Sequence, residues 1–285
     1  LAPGLIPSSV GFYEQIGRSL VPALRTKYYG TTLKMEFDLD TFNVSSLTTY
    51  RDQKSVNNSA DTDATPLNLF EFVGFKVGGK TFSQDFQVAS DFDSRFNYIF
   101  GLNYLRDRRY FRAAFLGAFA GGAMDPNTSP GVLNEGSTDS YAVFLEGYYK
   151  LTNELKVTVG GRYTYDERGM RATAFGFSFD GRTTQRAFTP RFVLSWDNGP
   201  TNLYYSFTRG FKAGGFPDGQ SGPLTTVRPE KISSHEVGIK QSMLDNRVTL
   251  NAAAFYFKNK DQQVQTIRDV TAGAARTSNA GLENY

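Results

Sequence analysis

The feature that most constrains the fold of this chain is the alternation of short and long connections between strand-like segments. Turns of a few residues join one pair of segments, and polar stretches of roughly fifteen to thirty residues join the next. Transmembrane β-barrels are built in this way, with short turns on the periplasmic side and long loops outside. A soluble sandwich or propeller has no physical reason to place all its long connections at one end. The alternation therefore predicts a membrane-spanning barrel.

The short connections contain residues that tolerate turn dihedral angles. We predict them near Asp40, at 91–94, at Thr152 and Asn153, at 197–200, and at Asp245 and Asn246. The predicted long loops occupy 55–79, 106–136, 167–186, 213–231 and 268–275. Between the connections we count about eleven strands of nine or more residues, the length needed to cross a bilayer at a tilt. The fold class predicted is all-β, as an antiparallel transmembrane barrel.

Inside the segments, apolar and polar residues alternate with a period of two, which places them on opposite faces of a sheet. In 155–166, Leu155, Val157 and Val159 share one face, and Lys156 and Thr158 share the other. In a barrel the polar face lines the lumen. The charged residues predicted to face the lumen are Lys34, Glu36, Lys156, Arg162, Arg191, Glu236 and Lys240. They either line a water-filled path, contact a plug, or pair with one another across neighbouring strands, and we expect pairing for most of them.

Composition is consistent with this fold. Aromatic residues make up 15% of the chain, and tyrosines near strand ends predict a girdle where lipid meets water. The predicted girdle contains Tyr50, Tyr104, Tyr148, Tyr149, Tyr163, Tyr165 and Tyr256, although cross-strand pairs in a soluble sheet are the alternative. The best candidate for a transmembrane helix, 111–124, is short and is interrupted by Arg112. A net charge of +3 is too small to indicate a nucleic-acid partner.

Neither catalysis nor metal binding is predicted from the residue types present. The chain has no cysteine, and His235 is its single histidine, so a thiolate site or a histidine-based metal site has no ligands. No nucleophile, base and orienting group can be assembled from strand neighbours. We therefore predict no catalytic residue, no metal site, no cofactor and no enzymatic activity. His235 is expected to be an ordinary strand residue near the loop end.

Several ordered motifs resemble those of TonB-dependent outer-membrane receptors. The run 203–216 resembles a signature strand of that family and contains Arg209, Gly210, Lys212, Gly214, Gly215 and Phe216. The segments 229–240 and 244–256 are similar to the family's next hairpin, and 82–86, 160–165 and 188–191 also resemble family motifs. The resemblance extends from about residue 31 to the end. It divides the chain into a leading segment, 1–30, and a partial receptor barrel, 31–285.

The resemblance implies a barrel of roughly 22 strands whose lumen is closed by a plug. The family takes up scarce ligands such as ferric siderophores, with energy delivered by the TonB complex through a short box ahead of the plug. Neither plug nor box occurs in this sequence. Because bacterial barrels close with an even number of strands, about eleven strands are expected to be part of a larger barrel. The partners implied are outer-membrane lipid, the TonB complex and an iron–siderophore ligand, and the implied location is the outer membrane of a Gram-negative bacterium.

Ligand capture is expected in the long loops, which stand above the membrane. The candidates are Arg108, Arg109 and Tyr110 in one loop, Arg168 and Arg171 in another, and Arg268 and Arg276 in the last. Their guanidinium groups suit carboxylate, catecholate or phosphate oxygens, and the alternative is ordinary solubility and attraction to anionic lipopolysaccharide. Two other functions remain open, namely a passive porin without a plug and a soluble β-rich binding module.

Overall fold

A computed structural model of the protein describes residues 21–55, 58–61, 71–116, 131–174, 177–216, 224–269, 274–279 and 282–284. The first strands along the chain are β1 (Thr26–Leu39), β2 (Phe42–Ser55), β3 (Asn58–Asp61), β4 (Glu71–Ser90), β5 (Phe96–Leu116), β6 (Val132–Lys150) and β7 (Leu155–Ala174). They are followed by β8 (Phe177–Asp197), β9 (Thr201–Lys212), β10 (Glu230–Met243), β11 (Val248–Lys260), β12 (Gln263–Asp269), β13 (Ala274–Asn279) and β14 (Leu282–Asn284). Across these ranges, no helix has the length and apolarity that would let it cross a membrane.

The strands form an up-and-down antiparallel sheet in the order β1-β2-β4-β5-β6-β7-β8-β9-β10-β11-β14. The short strand β3 pairs with β4 beside this path, and β12 pairs with β13 as a separate two-stranded sheet. Long strands therefore pair with their neighbours along the chain, as in a meander. The sheet does not close on itself within the described part of the chain. The prediction of an all-β, antiparallel architecture with about eleven strands is confirmed.

All five predicted short turns are present at one end of the sheet, which we call the turn end. The turn between β10 and β11 places Leu244, Asp245 and Asn246 at φ values of 53°, 56° and 65°. Asn tolerates this left-handed region better than most residues, because its short polar side chain bonds locally. Between β8 and β9, the Gly199 amide donates to Asp197 Oδ1 at 2.9 Å. Local turn chemistry therefore closes these hairpins, as expected from their residues.

At the opposite end, which we call the loop end, the strands are longer than predicted. β5 and β8 each contain 21 residues, and β7 contains 20. About ten residues suffice to cross the hydrocarbon core, so the remainder projects beyond it. The predicted loop 167–186 is therefore wrong for most of its length, because β7 and β8 continue through it. Polar residues can extend a strand in water because the backbone ladder satisfies their peptide groups.

The register gives the sheet two distinct faces. On one face, Leu145, Val159 and Val237 are 54%, 56% and 52% exposed, which no packing against protein explains. Toward the loop end of this face, the Tyr104 and Tyr141 ring centroids lie 5.0 Å apart, and Tyr165 follows Tyr141 in the register. This outward face thus has an apolar surface bordered by aromatic rings, which is the pattern of a lipid-facing barrel surface.

The predicted aromatic girdle is wrong at Tyr148, which lies on the opposite face. Its neighbour Tyr149 pairs with Phe96 and Val157 on the outward face, and Tyr148 therefore points to the opposite face. There its hydroxyl donates to Glu146 Oε1 at 2.6 Å. Two adjacent aromatic residues on a strand necessarily point to opposite faces, so both cannot belong to one girdle.

A small buried core lies at the loop end of β5, β6 and β7. Ala113, Val132, Met170 and Ala172 are each at most 6% exposed, and the register places them on the face opposite the lipid-facing one. We call this second face the polar face. Between this core and the turn end, the polar face carries mainly hydrogen-bonding and charged side chains. Among the described residues, the polar face is thus packed with apolar side chains mainly near the loop end, and Ala142 and Thr164 are buried farther along it.

Candidate ligand-binding site

The strand register places all seven charged residues predicted for the lumen on the polar face. Lys34 belongs to a continuous row with Leu47, Asp85, Asn103, Ala142 and Thr164 across six strands. The full set on this face is Lys34, Glu36, Lys156, Arg162, Arg191, Glu236 and Lys240. That this face encloses a lumen remains a prediction, since the sheet is open in the described part of the chain.

One ion pair spans three strands of the polar face. Arg191 on β8 donates from Nη1 to both carboxylate oxygens of Glu146 on β6, each at 2.8 Å. The residue between them in the same row is Gly160, and a Cβ atom built there would lie 3.0 Å from the Glu146 side chain. Because Gly160 has no side chain, the space above it is open and the Arg191 side chain extends across it to Glu146. Glu146 is not among the seven predicted residues, and no two of those seven form an ion pair across strands in the described part of the chain, so the expected pairing of most of them with one another is wrong.

Other charged residues of this face also have protein partners. Arg162 donates to Asn103 Oδ1 at 3.0 Å, and the Asn103 amide donates in turn to Asp85. Glu236 accepts a hydrogen bond of 2.6 Å from the Tyr204 hydroxyl. Lys34 and Glu36 form a 2.7 Å ion pair along one exposed strand rather than across two. These contacts hold the side chains of the polar face in defined positions.

Four of the predicted ligand contacts meet in one cleft of about 580 Å³ at the loop end. They are Arg108, Arg109, Tyr110 and Arg171, and they lie on strands β5 and β7 rather than in loops. Arg108 and Arg171 each have a carboxylate partner. Arg108 Nη2 lies 2.5 Å from Asp139 Oδ2, and Arg171 Nε lies 2.9 Å from Asp180 Oδ1. Both guanidinium groups are thus partly neutralised.

The register separates the predicted arginines by face. Arg108 pairs with Ser137 on the outward face, and Arg171 pairs there with Glu135 and Asp180. Arg109 and Arg168 lie on the polar face. A ligand that travels along the polar face would therefore meet Arg109 and Arg168, whereas Arg108 and Arg171 face away from it. The sequence pattern assigned all of them to loops, where no face is defined.

Arg168 lies in a half-buried polar group near the top of the polar face. Its Nη2 is 3.8 Å from Asp166 Oδ2, and Asp166 is only 5% exposed. Within the described residues, Arg168 Nε and Asp166 Oδ1 are buried without a hydrogen-bond partner. Buried polar atoms that lack partners are costly, so each is a position where a ligand or water gains a bond.

A second cavity of about 320 Å³ lies beside this group. Its lining includes Arg109, Met170 and Asn134, and Asn134 is 4% exposed. Neither amide atom of Asn134 has a hydrogen-bond partner among the residues that the structure describes. Sequence reasoning missed Asn134 because a single asparagine at the edge of a predicted loop carries no pattern. Its unused donor and acceptor suit a polar ligand.

The glycines of the family-like run 203–216 let the chain turn back over the polar face. Gly215 has φ of 142° and exchanges two backbone hydrogen bonds with Val227, of 3.1 and 2.9 Å. The Gly214 amide donates to Gln185 Oε1 at 2.8 Å, and Phe216 lies against Gly181. The interpretation that these glycines bend a strand into a loop is consistent with this geometry. The loop is thereby placed directly beside Arg168.

The remaining motif and candidate residues lie elsewhere. Arg209 is on the outward face, and Gly210 and Lys212 are on the polar face of β9. His235 is a strand residue, and its Nδ1 lies 2.9 Å from the Tyr205 hydroxyl. Arg268 and Arg276 belong to the hairpin of β12 and β13, and their side chains lie outside the described part of the structure. Among the described residues, no group of three or more His, Asp or Glu side chains is arranged to hold a metal ion.

Comparisons with known proteins agree with this architecture. The metal-pseudopaline receptor CntO of Pseudomonas aeruginosa is 26% identical over 159 residues, which cover 53% of this chain and 22% of that protein. The ferric yersiniabactin uptake receptor FyuA from Yersinia pestis superposes with a TM-score of 0.73 at 20% identity, covering 92% of this chain and 38% of FyuA. The copper transporter OprC superposes with a TM-score of 0.66 at 14% identity, covering 89% of this chain and 42% of OprC. The chain thus spans less than half the length of each relative.

The family model for the β-barrel of TonB-dependent receptor-like proteins matches residues 6–284. This match begins before residue 31, and β1 begins at Thr26, so the division of the chain at residue 31 stays a prediction. Members of this family are transporters of the Gram-negative outer membrane rather than enzymes. The meander of long strands, the lipid-facing surface and the match over nearly the whole chain lead to one conclusion: the chain belongs to the β-barrel family of TonB-dependent receptors, and it is an outer-membrane protein.

Proposed function

We propose that this chain forms the ligand path of an outer-membrane receptor that takes up a metal complex by TonB-coupled active transport. The observation that supports this most directly is the arrangement of the polar face. Partly unsatisfied groups at its loop end, Asp166 and Arg168, are followed toward the turn end by charged side chains held in place, such as Arg162 and the Glu146–Arg191 pair. A solute entering from the loops would meet hydrogen-bonding groups along the whole face.

The chemistry at the loop end favours a ligand with anionic oxygens. Arg109 and Arg168 are on the same face, and guanidinium groups bind carboxylate or catecholate oxygens through paired hydrogen bonds. Asn134 adds a donor and an acceptor close to Arg109. Chelators that wrap a metal ion in carboxylate, hydroxamate or catecholate groups present such oxygens on their surface. Iron–siderophore complexes are the narrower form of the proposal, and complexes of other metals fit the same groups.

The relatives support the wider form of the proposal, in which the ligand is a metal complex and the metal is not limited to iron. One is a receptor for metal–pseudopaline, one takes up ferric yersiniabactin, and one is a copper transporter. Energy coupling would require the TonB complex acting through a plug, which we propose for the whole protein. A plugless porin with the same strands would instead pass solutes without energy. Dependence on the proton gradient therefore distinguishes the two.

The first test is uptake of a panel of radiolabelled iron, nickel, zinc and copper chelates by cells that carry the protein as its gene encodes it. The recipient strain lacks other receptors for the same chelates. We expect saturable uptake of at least one metal complex that stops when a protonophore dissipates the proton gradient. Uptake that continues without the gradient would identify a passive pore, and the absence of uptake of every metal complex would contradict the proposal.

The contribution of individual arginines to ligand binding is tested with two matched pairs of substitutions. Arg109→Gln with Arg168→Gln changes the polar face, and Arg108→Gln with Arg171→Gln makes the same chemical change on the outward face. We expect the first pair to weaken binding of the transported chelate by about tenfold or more, because each lost charge-assisted hydrogen bond is worth roughly 1.5–3 kcal/mol. The second pair should change binding less than about threefold. Equal effects of the two pairs would place the ligand away from the polar face.

A further inference from the structure

An aromatic row crosses the outward face of β9, β10 and β11. Phe207, His235 and Tyr256 occupy one row of the register, and the Phe207 and His235 ring centroids lie 4.9 Å apart. On the turn-end side of this row the outward residues are mainly apolar, including Val237, which is 52% exposed. Aromatic residues at the border of an apolar barrel surface mark the level where hydrocarbon meets lipid headgroups.

Basic residues follow immediately on the loop-end side. The next outward rows are Arg209–Ser233–Lys258 and Phe211–Lys231–Lys260. With Arg186 of β8, the four cations of these rows line a single depression of about 460 Å³. We call Arg186, Arg209, Lys231, Lys258 and Lys260 the basic patch. Within the described residues, no aspartate or glutamate lines the depression.

The cations of the basic patch differ from Arg108 and Arg171, whose charges are neutralised by carboxylates. On β5 and β7, Arg108 and Arg171 have carboxylate partners at 2.5 and 2.9 Å. In the described part of the chain, no member of the basic patch has an ion pair, and all five side chains are exposed. Like charges this close repel one another, so their clustering favours an anionic partner that binds several of them at once.

Two members of the patch also contact aromatic rings. The Arg186 guanidinium lies 5.5 Å from the centroid of the Tyr165 ring, and that of Arg209 lies 5.6 Å from the Phe207 ring. These cation–π contacts hold both guanidinium groups close to the aromatic border rather than extended into solvent. The cations are therefore placed at headgroup level on the side of the protein that faces lipid.

We propose that the basic patch binds the phosphate groups of an outer-leaflet lipid, namely the bis-phosphorylated glucosamine headgroup of lipopolysaccharide. Its position outside the barrel excludes a ligand that travels along the polar face, and five cations around a depression that no described aspartate or glutamate lines match a headgroup with two phosphates. Phe188, which lines the same depression and is 64% exposed, offers apolar contact to the first part of the acyl chains. The inference rests on the outer-membrane location and does not depend on the transported ligand.

The test uses the protein as its gene encodes it, freed of lipid and placed in nanodiscs of phosphatidylcholine. Binding of bis-phosphorylated lipid A is measured by native mass spectrometry for the wild type and for the variant K231Q/K258Q/K260Q. Because each lysine near an anionic lipid surface contributes to binding, we expect the variant to bind at least about tenfold more weakly. Lipid A stripped of both phosphates should bind the wild type as weakly as lipid A binds the variant.

The matched control is K34Q/K156Q/K240Q, which removes the same charge from the polar face and should bind lipid A like the wild type. Retention of heat-modifiable migration shows that each variant is folded. Equal lipid A binding by wild type and K231Q/K258Q/K260Q would overturn the proposal. Displacement of lipid A by inorganic phosphate at the same phosphate concentration would also overturn it, because the patch would then be an ordinary anion site. Equal affinity for phosphatidylglycerol would overturn the assignment to a bis-phosphorylated headgroup.

Discussion

Gly160 lies between the two residues of the Glu146–Arg191 pair. The Arg191 side chain is half exposed, whereas that of Glu146 is 17% exposed, so the pair lies between the limits of a surface and a buried ion pair. The Tyr148 hydroxyl donates to the same carboxylate at 2.6 Å, which fixes Glu146 further. A Cβ at position 160 would lie 3.0 Å from Glu146 Cβ and Cγ, closer than most Cβ contacts, so Glu146 would have to shift.

We therefore expect Gly160→Val to lower the free energy of unfolding by about 1–3 kcal/mol, the usual cost of overpacking. In a Glu146→Ala background the same substitution should cost less, because Glu146 Cγ and Oε2, two of the three atoms that a Cβ at position 160 meets, have been removed. The measurement is urea unfolding of the receptor in lipid bilayers. Gly30→Val is the matched control, since a Cβ at Gly30 meets only the Tyr50 carbonyl oxygen at 3.4 Å. An unchanged cost in the Glu146→Ala background would show that the two positions do not interact.

The connection between β9 and β10 acts as an anchored element. Its two ends are joined by the paired backbone hydrogen bonds between Gly215 and Val227, and the Gln185 side chain binds the Gly214 amide. A Cβ at Gly214 would lie closer to the Val227 carbonyl oxygen than real Cβ contacts allow. Because backbone atoms cannot move as freely as a side-chain tip, the anchor requires glycine here.

Gly214→Val is expected to release this connection from the polar face while leaving the barrel folded. Trypsin added to intact cells should then cleave after Lys212 at least about threefold faster, since release of the anchor exposes the chain. Gly210→Val on the same strand is the control, because a Cβ there meets only the Ile232 side chain at 3.1 Å. If both variants are cleaved at the wild-type rate, the glycine contact does not hold the connection in place.

On the scale of the whole molecule, the sheet has a meander topology and an open edge. In the described ranges, β1 pairs with β2 alone, and its residues are exposed on both faces beyond Thr26. A strand edge inside a bilayer must be paired, because hydrocarbon offers no hydrogen bonds. In water the same edge is a template for other chains.

The chain of 285 residues expressed by itself is thus expected to aggregate or misassemble. The comparison is the same chain produced as part of the protein that its gene encodes, which should extract from outer membranes as a discrete species. Size-exclusion chromatography with light scattering in matched detergent distinguishes the two outcomes. A monodisperse, folded monomer of the isolated chain would show that its edges are protected, and would count against the barrel assignment.

The alternation of residues and the turn chemistry were sufficient to predict the all-β meander, the five hairpin turns and the residues of the polar face. These signals are local, because a period of two and a short polar turn act within a few residues of the chain. The family-like motifs also pointed correctly to the receptor barrel. Sequence and tertiary structure agree on these features, whereas the predictions for the loop 167–186 and for the face of Tyr148 were wrong.

Other features depended on contacts between residues far apart in the chain. The register between β5 and β7 separates Arg109 and Arg168 from Arg108 and Arg171, although all four were assigned to loops. The inward fold of the β9–β10 connection requires Gln185, which lies on β8, and Val227, which lies at the other end of the same connection. The basic patch forms only because four strands bring its cations together. The pairing of strands decides which of these residues come together. Composition and residue spacing along a single strand do not specify that pairing.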